Sequence, residues 1–324
     1  MSREVRTVAV VGTGVIGASW AVHFLAHGLS VVASDPAPGA EDRLRSAVER
    51  LWAVATRLAG TPNASLDRLR FDPDARSAAA MADFVQENAP EDLDAKQALL
   101  ADLDEATDAD VVLASSSSAL VPSVLQERCT RAPGRVLVGH PFDPPHLVPL
   151  VEVVGGTRTS EQAVTRAVDF YRTVGKRPVV LRKEVPGHIA NRLQAALWRE
   201  AYSLVDAGIA TVADVDAAIS NGPGLRWAHY GPFVNLHLSG GSGGMARMHE
   251  HLGPAMESLW ADFSTPTLTA ELVDEVNRQT VDLVDELGGE RLASDREELL
   301  VALLEAQRKQ RGAEPNDMKE REDA

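Results

Sequence analysis

The 324-residue sequence is poor in cysteine, in aromatic residues and in long apolar stretches. Its one cysteine, Cys129, excludes an intramolecular disulfide and a CxxC metal or redox site. No apolar run approaches the ~18 residues of a membrane-spanning helix, and the run near the N-terminus is too short for a signal-peptide core. We therefore expect a globular protein of a reducing compartment, which favours a cytoplasmic location.

Positive charge is also scarce. The chain has 32 Lys+Arg against 47 Asp+Glu, a net charge of −15 at pH 7. This balance, without a basic stripe, disfavours nucleic acid and anionic membranes as partners. At about 150 residues per domain, the length suggests two domains, each large enough to bury a core.

The first part of the chain alternates predicted strands and helices. Residues 7–11 form a short β-branched run without polar alternation, which is typical of a strand buried on both faces of a parallel sheet. Further predicted strands are 29–35, 83–87, 109–114, 135–140, 147–154 and 177–182, and predicted helices are 19–27, 40–59 and 159–174. This alternation predicts a doubly wound (Rossmann) α/β domain over residues 1–185.

After Pro186-Gly187 the apolar spacing becomes helical and no convincing strand remains. The amphipathic segments are 188–207, 211–220, 243–260, 270–287 and 294–309. They predict an all-helical second domain over 186–312. Residues 313–324 lack apolar spacing, and we expect a flexible tail there.

Glycines in a G-x-G-x-x-G pattern follow the first predicted strand. Gly12 permits the tight turn, Gly14 lets a pyrophosphate approach the backbone, and Gly17 lets the helix pack on the strand. Asp35 ends the second predicted strand, where a carboxylate can bind both ribose hydroxyls and repel a 2′-phosphate. The pattern predicts a site for NAD rather than NADP. The alternative is a glycine-rich turn without a ligand, with Asp35 capping a helix.

Four polar elements lie near the ends of later predicted elements. They are the serines 115–118, His140 in GHPFDPP, Glu152 in PLVEVVGG and Asn191 in PGHIANRL. Together with the glycine motif, they resemble the 3-hydroxyacyl-CoA dehydrogenase family, most closely its short-substrate branch with L-gulonate and L-carnitine 3-dehydrogenases and lambda-crystallin. The resemblance implies NAD-dependent interconversion of a small L-3-hydroxy acid and its 3-keto form, by a homodimer joined through the helical domains.

Oxidation of a secondary alcohol needs a base for the hydroxyl proton. His140 suits this role because imidazole exchanges a proton near neutral pH. Glu152 would accept the other ring N–H, fix the tautomer and stabilise the imidazolium. The resemblance assigns substrate contact to Ser118 and completion of the polar cluster to Asn191, both holding the reacting oxygen by neutral hydrogen bonds.

Three further residues are assigned to the cofactor by resemblance. Glu91 and Lys96 match a Glu and a Lys that contact the nicotinamide half in the family; the alternative is a solvated charge pair at the start of a helix. Asp143 stands where family members commonly have Asn. A carboxylate there can only accept hydrogen bonds unless protonated, which leaves the family contact open and is compatible with a cationic or hydroxylated substrate.

The substrate is predicted to be a free acid. The interval between Asp35 and Glu91 contains no lysine, whereas acyl-CoA members of the family carry a lysine-bearing helical excursion there. Arg226, in GLRWAHYGPF, is the predicted carboxylate anchor, because its planar fork matches a carboxylate; the alternative is a salt bridge inside the helical domain.

Two further sets of side chains lie in the predicted helical domain. The aromatic residues could form a box for a trimethylammonium group or belong to the core; they are Trp198, Trp227 and Tyr230. No metal is expected at the histidines of this domain, which are His229, His237, His249 and His251.

Two other functions stay open at this point. One is a 3-hydroxyacyl-CoA dehydrogenase of the 3-hydroxybutyryl-CoA type, and the other is an NAD-binding structural protein of the lambda-crystallin type. The complete set of Ser, His, Glu and Asn speaks against the second.

Overall fold

The computed structural model describes residues 4–312. Over this range every helix is too short or too polar to span a membrane. The chain divides into two compact units, the first ending at Arg192 and the second beginning at Leu193. The domain boundary between residues 185 and 186 stays a prediction, since in space residues 186–192 belong to the first unit. The tail predicted at 313–324 lies outside the described residues.

The first unit is built on one sheet. Its strands are β1 (Thr7–Val11), β2 (Ser30–Ser34), β3 (Leu69–Phe71), β4 (Phe84–Glu87), β5 (Val112–Ser115), β6 (Val136–Pro141), β7 (Leu150–Gly155) and β8 (Arg177–Leu181). Their order is β3-β2-β1-β4-β5-β6-β7-β8. Neighbours are parallel except β6 and β7, which are antiparallel. The strand order reverses between β1 and β4, where doubly wound sheets bind ligands at the carboxyl ends of the strands.

Helices enclose this sheet. They are α1 (Val15–Ala26), α2 (Ala40–Ala59), α3 (Ala75–Ala80), α4 (Leu93–Ala106), α5 (Pro122–Leu125) and α6 (Glu161–Thr173). Successive residues of β1 face opposite sides, so Val10 joins an apolar cluster with Trp20 of α1 while Ala9 joins another with Leu100 of α4. The two clusters form the two halves of a core, and the predicted doubly wound α/β fold is confirmed.

The second unit is helical. Helix α7 (Ala190–Asp206) leads into it, and the helices that follow are α8 (Val212–Ser220), α9 (Pro223–Trp227), α10 (Pro232–Ser239), α11 (Gly244–Asp262), α12 (Ala270–Glu286) and α13 (Leu292–Gly312). The predicted all-helical character is confirmed. Helices α9 and α10 are absent from the prediction, because each is short and begins at a Gly-Pro pair. A proline at the first helical position replaces an N–H that has no partner there anyway, so it starts a helix rather than breaking it.

Candidate active site

In the turn between β1 and α1, a side chain would be excluded or exposed for a different reason at each glycine. A Cβ on Gly12, whose φ is +86°, would lie 2.7 Å from the backbone carbonyl of Asn88, and one on Gly17 would lie 1.8 Å from the Gly12 oxygen. Gly14 has no atom within 4 Å of such a Cβ position, so its surface is open. No side chain caps α1 and its first turn carries no acidic residue. The turn therefore fits a pyrophosphate on the helix N-terminus.

Asp35 follows β2 and lies beside this turn. Its Oδ2 accepts the Thr13 N–H at 2.8 Å, and its Oδ1 accepts the Ala37 N–H at 2.9 Å. Burial raises the pKa of Asp35, but the hydrogen bonds from Thr13 and Ala37 outweigh it, so the pKa is lowered overall. A charged carboxylate with remaining lone pairs suits the ribose hydroxyls of NAD.

His140 and Glu152 are paired across the antiparallel strands β6 and β7, where they stand directly opposite each other. His140 Nδ1 lies 2.9 Å from Glu152 Oε2, and both side chains are buried. Burial raises the pKa of Glu152, but the bonds from His140 and from the Ile189 and Ala190 amides lower it overall. The carboxylate is therefore an acceptor and fixes the proton on Nδ1. With the hydrogen on Nδ1, Nε2 is the nitrogen that can accept a proton.

A left-handed turn before α7 supplies the backbone bonds to Glu152. Gly187 has φ +76° and His188 has φ +51°, and the His188 N–H donates to the Val185 carbonyl at 3.1 Å. The N–H groups of Ile189 and Ala190 then donate to Glu152 Oε1 at 2.8 and 3.0 Å. His188 was not predicted as a site residue, although the motif PGHIANRL contains it.

Glu91 organises the serine segment after β5. Its Oε1 accepts the Ser117 hydroxyl at 2.6 Å and the N–H groups of Ser118 and Ala119 at 3.1 and 3.0 Å. Burial raises the pKa of Glu91, but the Ser117 hydroxyl, the Ala119 amide and the charge of Lys96 lower it overall. Glu91 is thus a charged group that holds the loop carrying Ser118.

Lys96 is buried rather than solvated. Its Nζ lies 2.9 Å from Glu87 Oε1 and 3.8 Å from Glu91 Oε2, and its side chain is 1% exposed. The alternative of a solvated charge pair is therefore wrong for Lys96. Glu87 also accepts the Ser115 hydroxyl, so one buried ion pair connects β4, α4 and the end of β5. The cofactor contacts assigned to Glu91 and Lys96 stay predictions.

A second buried network holds the backbone before His140. The Tyr171 hydroxyl donates to Gln86 Oε1 at 2.7 Å, and Gln86 Nε2 donates to the Gly139 carbonyl at 3.2 Å. A Cβ on Gly139 would lie 2.1 Å from the Tyr171 hydroxyl oxygen. Neither Gln86 nor Tyr171 was identified from the sequence, since both lie in apolar segments that read as core.

The remaining predicted site residues of the first unit are close to this centre. Asn191 Nδ2 lies 3.5 Å from the Ser118 carbonyl, and the Ser118 side chain is exposed. His188 Nε2 lies 3.1 Å from the Ser117 carbonyl. Asp143 is exposed just beyond the end of β6. The structure therefore groups the predicted His, Glu, Ser and Asn within one unit.

The site residues predicted in the second unit are exposed rather than buried. Arg226 is exposed on α9, and within residues 4–312 it has no ion-pair partner, so the alternative of a structural salt bridge gains no support. The three aromatic residues proposed for a box or for the core are exposed: Trp198, Trp227 and Tyr230. No group of three or more His, Cys, Asp or Glu suited to a metal ion occurs in the described part of the chain.

Comparison with protein families covers most of the chain. Residues 7–185 match the NAD-binding domain of 3-hydroxyacyl-CoA dehydrogenase, and residues 187–277 match its C-terminal domain. The chain belongs to the 3-hydroxyacyl-CoA dehydrogenase family. This confirms the family resemblance and NAD as the cofactor. This family member is an NAD-dependent dehydrogenase that acts on a CH–OH group.

Its relatives include L-carnitine dehydrogenases of Nocardiopsis dassonvillei and Streptomyces coelicolor. The first is 49% identical and the alignment covers 93% of this chain and 92% of the relative. The second is 50% identical, with 94% and 95% covered.

Two solved structures show how far the fold is shared. A 5-formyl-3-hydroxy-2-methylpyridine 4-carboxylic acid 5-dehydrogenase, an NAD+-dependent dismutase, is 30% identical with a TM-score of 0.79 over 93% of this chain and 99% of its own. The 3-hydroxybutyryl-CoA dehydrogenase of Escherichia coli is 31% identical with a TM-score of 0.61 over 73% and 50%.

Proposed function

We propose that this dehydrogenase oxidises L-carnitine, or a free 3-hydroxy acid very similar to it, to the 3-keto acid. The observation that carries this proposal is the 49% and 50% identity to L-carnitine dehydrogenases over more than nine-tenths of both chains. The chemistry of the site residues supports it in three respects, which concern the proton, the reacting oxygen and the two charged ends of the substrate.

His140 is the base in this proposal. Because Glu152 accepts from Nδ1, the free Nε2 of His140 can take the hydroxyl proton as the C–H bond breaks. NAD, when bound, accepts the hydride. The lowered pKa of Glu152 keeps a negative charge beside the imidazolium that forms. In the reverse direction the same imidazolium returns the proton to the keto oxygen.

Ser118 and Asn191 hold the reacting oxygen. The Ser118 hydroxyl is exposed, and among the described residues it forms no hydrogen bond. The Asn191 amide is 3.5 Å from the Ser118 carbonyl, a long contact that leaves its N–H groups able to turn to a substrate. Both are neutral donors, so they stabilise the oxygen without competing with His140 for the proton.

The charges of the chain suit a substrate with a cationic end and a carboxylate end. Asp143 places an exposed carboxylate beyond β6, close in sequence to His140. Its charge favours a trimethylammonium group where an amide would not. Arg226, exposed and without an ion pair within residues 4–312, supplies a fork for a carboxylate. Exposed Trp198 and Trp227 add aromatic faces that attract a quaternary ammonium.

The test is a substrate screen followed by NADH absorbance at a fixed NAD concentration. L-Carnitine is expected to give the highest kcat/KM, ahead of gulonate and 3-hydroxybutyrate, and D-carnitine serves as the stereochemical control. Turnover of 3-hydroxybutyryl-CoA with none of L-carnitine would contradict the proposal and favour the acyl-CoA alternative. NADH binding without turnover of any hydroxy acid would favour the structural alternative.

We also propose a cytoplasmic homodimer joined through the helical units. In support, large apolar side chains of the second unit are exposed in the single chain, among them Phe233, Leu259, Trp260, Val281 and Leu299. Large apolar side chains left exposed in such number are typical of a protein that buries them against a partner. A dimer by light scattering at micromolar concentration is expected, and a monomer would contradict the proposal.

A further inference from the structure

The loop between β6 and β7 joins the two strands that carry the proposed base and its carboxylate. It covers residues 142–149, and its parts differ in exposure. Asp143 is exposed, whereas Pro145, His146 and Leu147 are buried. The carboxylate proposed to meet the cationic end of the substrate is therefore attached to a buried turn, whose position decides where that carboxylate can reach.

Lys176 holds the buried part of this loop. It follows α6, and its Nζ donates to the carbonyl of Pro145 and, at 3.0 Å, to that of Val148. Nζ also lies 4.9 Å from the centre of the Trp20 ring of α1. One amine therefore ties the loop to α1 and to the end of α6.

This position is a costly one for a lysine. Lys176 is 5% exposed, and within residues 4–312 no carboxylate forms an ion pair with it. Burial lowers its pKa from the ordinary 10.5 to about 7. A buried ammonium without a counter-ion opposes folding, and an apolar side chain would fill the same space at lower cost. Lys176 is therefore explained by the carbonyls that its N–H groups hold rather than by packing.

A second anchor joins the same loop to α1. The Ser19 hydroxyl accepts the His146 backbone N–H at 2.9 Å, and its oxygen lies 2.8 Å from His146 Nδ1, to which it can donate. Since α1 begins at the glycine turn, this anchor holds the loop on the helix whose N-terminus fits the pyrophosphate.

The backbone of the loop transmits this fixed position to Asp143. Pro144 follows Asp143 directly, and its carbonyl accepts the N–H groups of Leu147 and Val148 at 3.0 and 2.9 Å. Pro144 and Pro145 each have a fixed φ, so few free torsions separate Asp143 from the anchored turn. A displacement of that turn therefore displaces Asp143 as well.

We propose that Lys176 is a positioning residue for substrate recognition, which holds the Asp143 carboxylate where the cationic end of the substrate binds. This inference rests on the proposed function, because it assumes that Asp143 receives the trimethylammonium group of L-carnitine. A positive charge on Lys176 would repel that group. Lys176 therefore does not bind the substrate itself and acts through Asp143.

The test compares one cationic and one neutral substrate. L-Carnitine is measured beside 3-hydroxy-5,5-dimethylhexanoate of the same configuration, in which a carbon atom replaces the nitrogen and the size is kept. Lys176→Met keeps the aliphatic stem and removes both bonds to the loop. The matched control is Lys183→Met, the same change at an exposed lysine of the first unit.

The assay is run at about pH 8.5, above the lowered pKa of Lys176, so the amine of the folded wild type is mostly neutral. A neutral amine still has one N–H for each of the two carbonyls. The substitution then changes hydrogen bonds rather than charge. Any charge that is left would act in the opposite direction, because its loss would lower the KM of a cation.

Lys176→Met is expected to raise the KM of L-carnitine about threefold to tenfold, the value of a weakened charge contact. The KM of the neutral analogue, or its inhibition constant where oxidation is slow, should be unchanged, as should kcat and the dissociation constant of NADH. Lys183→Met should match the wild type throughout. Asp143→Asn should raise the KM of L-carnitine at least as much, and adding Lys176→Met to it should raise the KM no further.

The proposal is overturned if Lys176→Met leaves the KM of L-carnitine unchanged, raises it equally for both substrates, or adds its effect to that of Asp143→Asn. Weaker binding of NADH by the same factor would also overturn it, since the loop would then act on the cofactor. If Lys176→Met does not fold, Ser19→Ala removes the other anchor and gives the answer by the same comparison. A wild type that does not oxidise L-carnitine would contradict the proposed function, and this inference with it, before any variant is compared.

Discussion

The two units of the chain differ in what they bury. Within its apolar core the first unit encloses the ion pairs of Glu87 with Lys96 and of Asp104 with Arg135, and the hydrogen-bonded pair of Glu152 and His140. Over residues 193–310 of the second unit, the buried residues other than glycine are Met248, Leu272 and Val301. The first unit is therefore complete in a single chain, whereas the second leaves most of its apolar side chains in contact with water.

The first unit holds the proposed catalytic residues in place, whereas the second is the unit proposed to join two subunits. A buried charge is tolerated only with its partner in place, so each buried pair holds two elements of the first unit in one register. The proposed catalytic residues His140 and Glu152 are themselves one of these pairs, on β6 and β7. The second unit has no comparable buried pair within its described residues, and its exposed apolar side chains support the proposed dimer. Substitutions in the two units are therefore expected to affect different properties.

The largest expected effect is on stability, at the buried pair of the first unit. Glu87→Gln leaves Lys96 as a buried charge without its main partner, and we expect a loss of about 3–5 kcal/mol in the free energy of unfolding. The matched control is Asp102→Asn, which breaks the exposed pair with Arg76 and should cost about 1 kcal/mol or less. Urea unfolding measures both, and equal losses would contradict the role given to the buried pair.

The next effect is on turnover. Glu152→Gln removes the negative charge that stabilises the imidazolium of His140, and we expect kcat to fall about 10²–10³-fold. Glu161→Gln, at the exposed start of α6, is the control and should leave kcat unchanged. The dissociation constant of NADH should be the same in both variants. An unaltered kcat in Glu152→Gln would show that the carboxylate takes no part in the mechanism.

In the second unit, the expected effect is on assembly. Trp260→Glu puts a charge on an apolar side chain that is 60% exposed in the single chain, and we expect dimer dissociation to be favoured by about 2 kcal/mol or more. Ser258→Glu, also exposed on α11, makes the same change of charge without removing an apolar group. The dimer dissociation constants of the two variants, measured by analytical ultracentrifugation, should differ. Identical dissociation constants would place this part of α11 outside the interface.

The most gradual effect, smallest per unit of pH, is the dependence of stability on pH in the first unit. Burial, followed by the charge of Lys176, lowers the pKa of His146 from its ordinary 6.5 to about 4. Between these values the unfolded chain binds a proton that the folded chain does not, so stability falls as pH falls from 6.5 to 4, by at most about 1.4 kcal/mol per pH unit.

His146→Asn tests this dependence, since it retains an acceptor for the Ser19 hydroxyl, which lies 2.8 Å from His146 Nδ1. The variant should show a shallower loss of melting temperature on acidification, with the remaining slope due in part to His23, whose pKa is also lowered by burial. Parallel curves for the variant and the wild type would exclude His146 as a source.

The sequence predicts the fold well where the pattern is local. The strand at Thr7–Val11 and the helix at Ala40–Ala59 are found where apolar spacing places them. The family motif also allowed His140 and Glu152 to be paired in advance, and antiparallel β6 and β7 bring them opposite each other. A short strand such as Leu69–Phe71 gives too few residues for any period to be recognised.

Tertiary hydrogen bonds could not be predicted in the same way. Lys96 reads as a surface lysine until Glu87, nine residues earlier in the chain, is folded against it. Gln86 and Tyr171 are 85 positions apart, and only the packing of α6 on the sheet joins them. His188 is a similar case, because only a left-handed turn of the backbone brings its ring next to that of His140.

The most direct test of the role of His140 is NADH formation in a single turnover by His140→Ala beside the wild type, with NAD and L-carnitine saturating. We expect the rate of NADH formation to fall about 10²–10⁴-fold, the usual contribution of a positioned base, while the NADH dissociation constant is unchanged. A variant that forms NADH at the wild-type rate would contradict the assignment of this imidazole as the base.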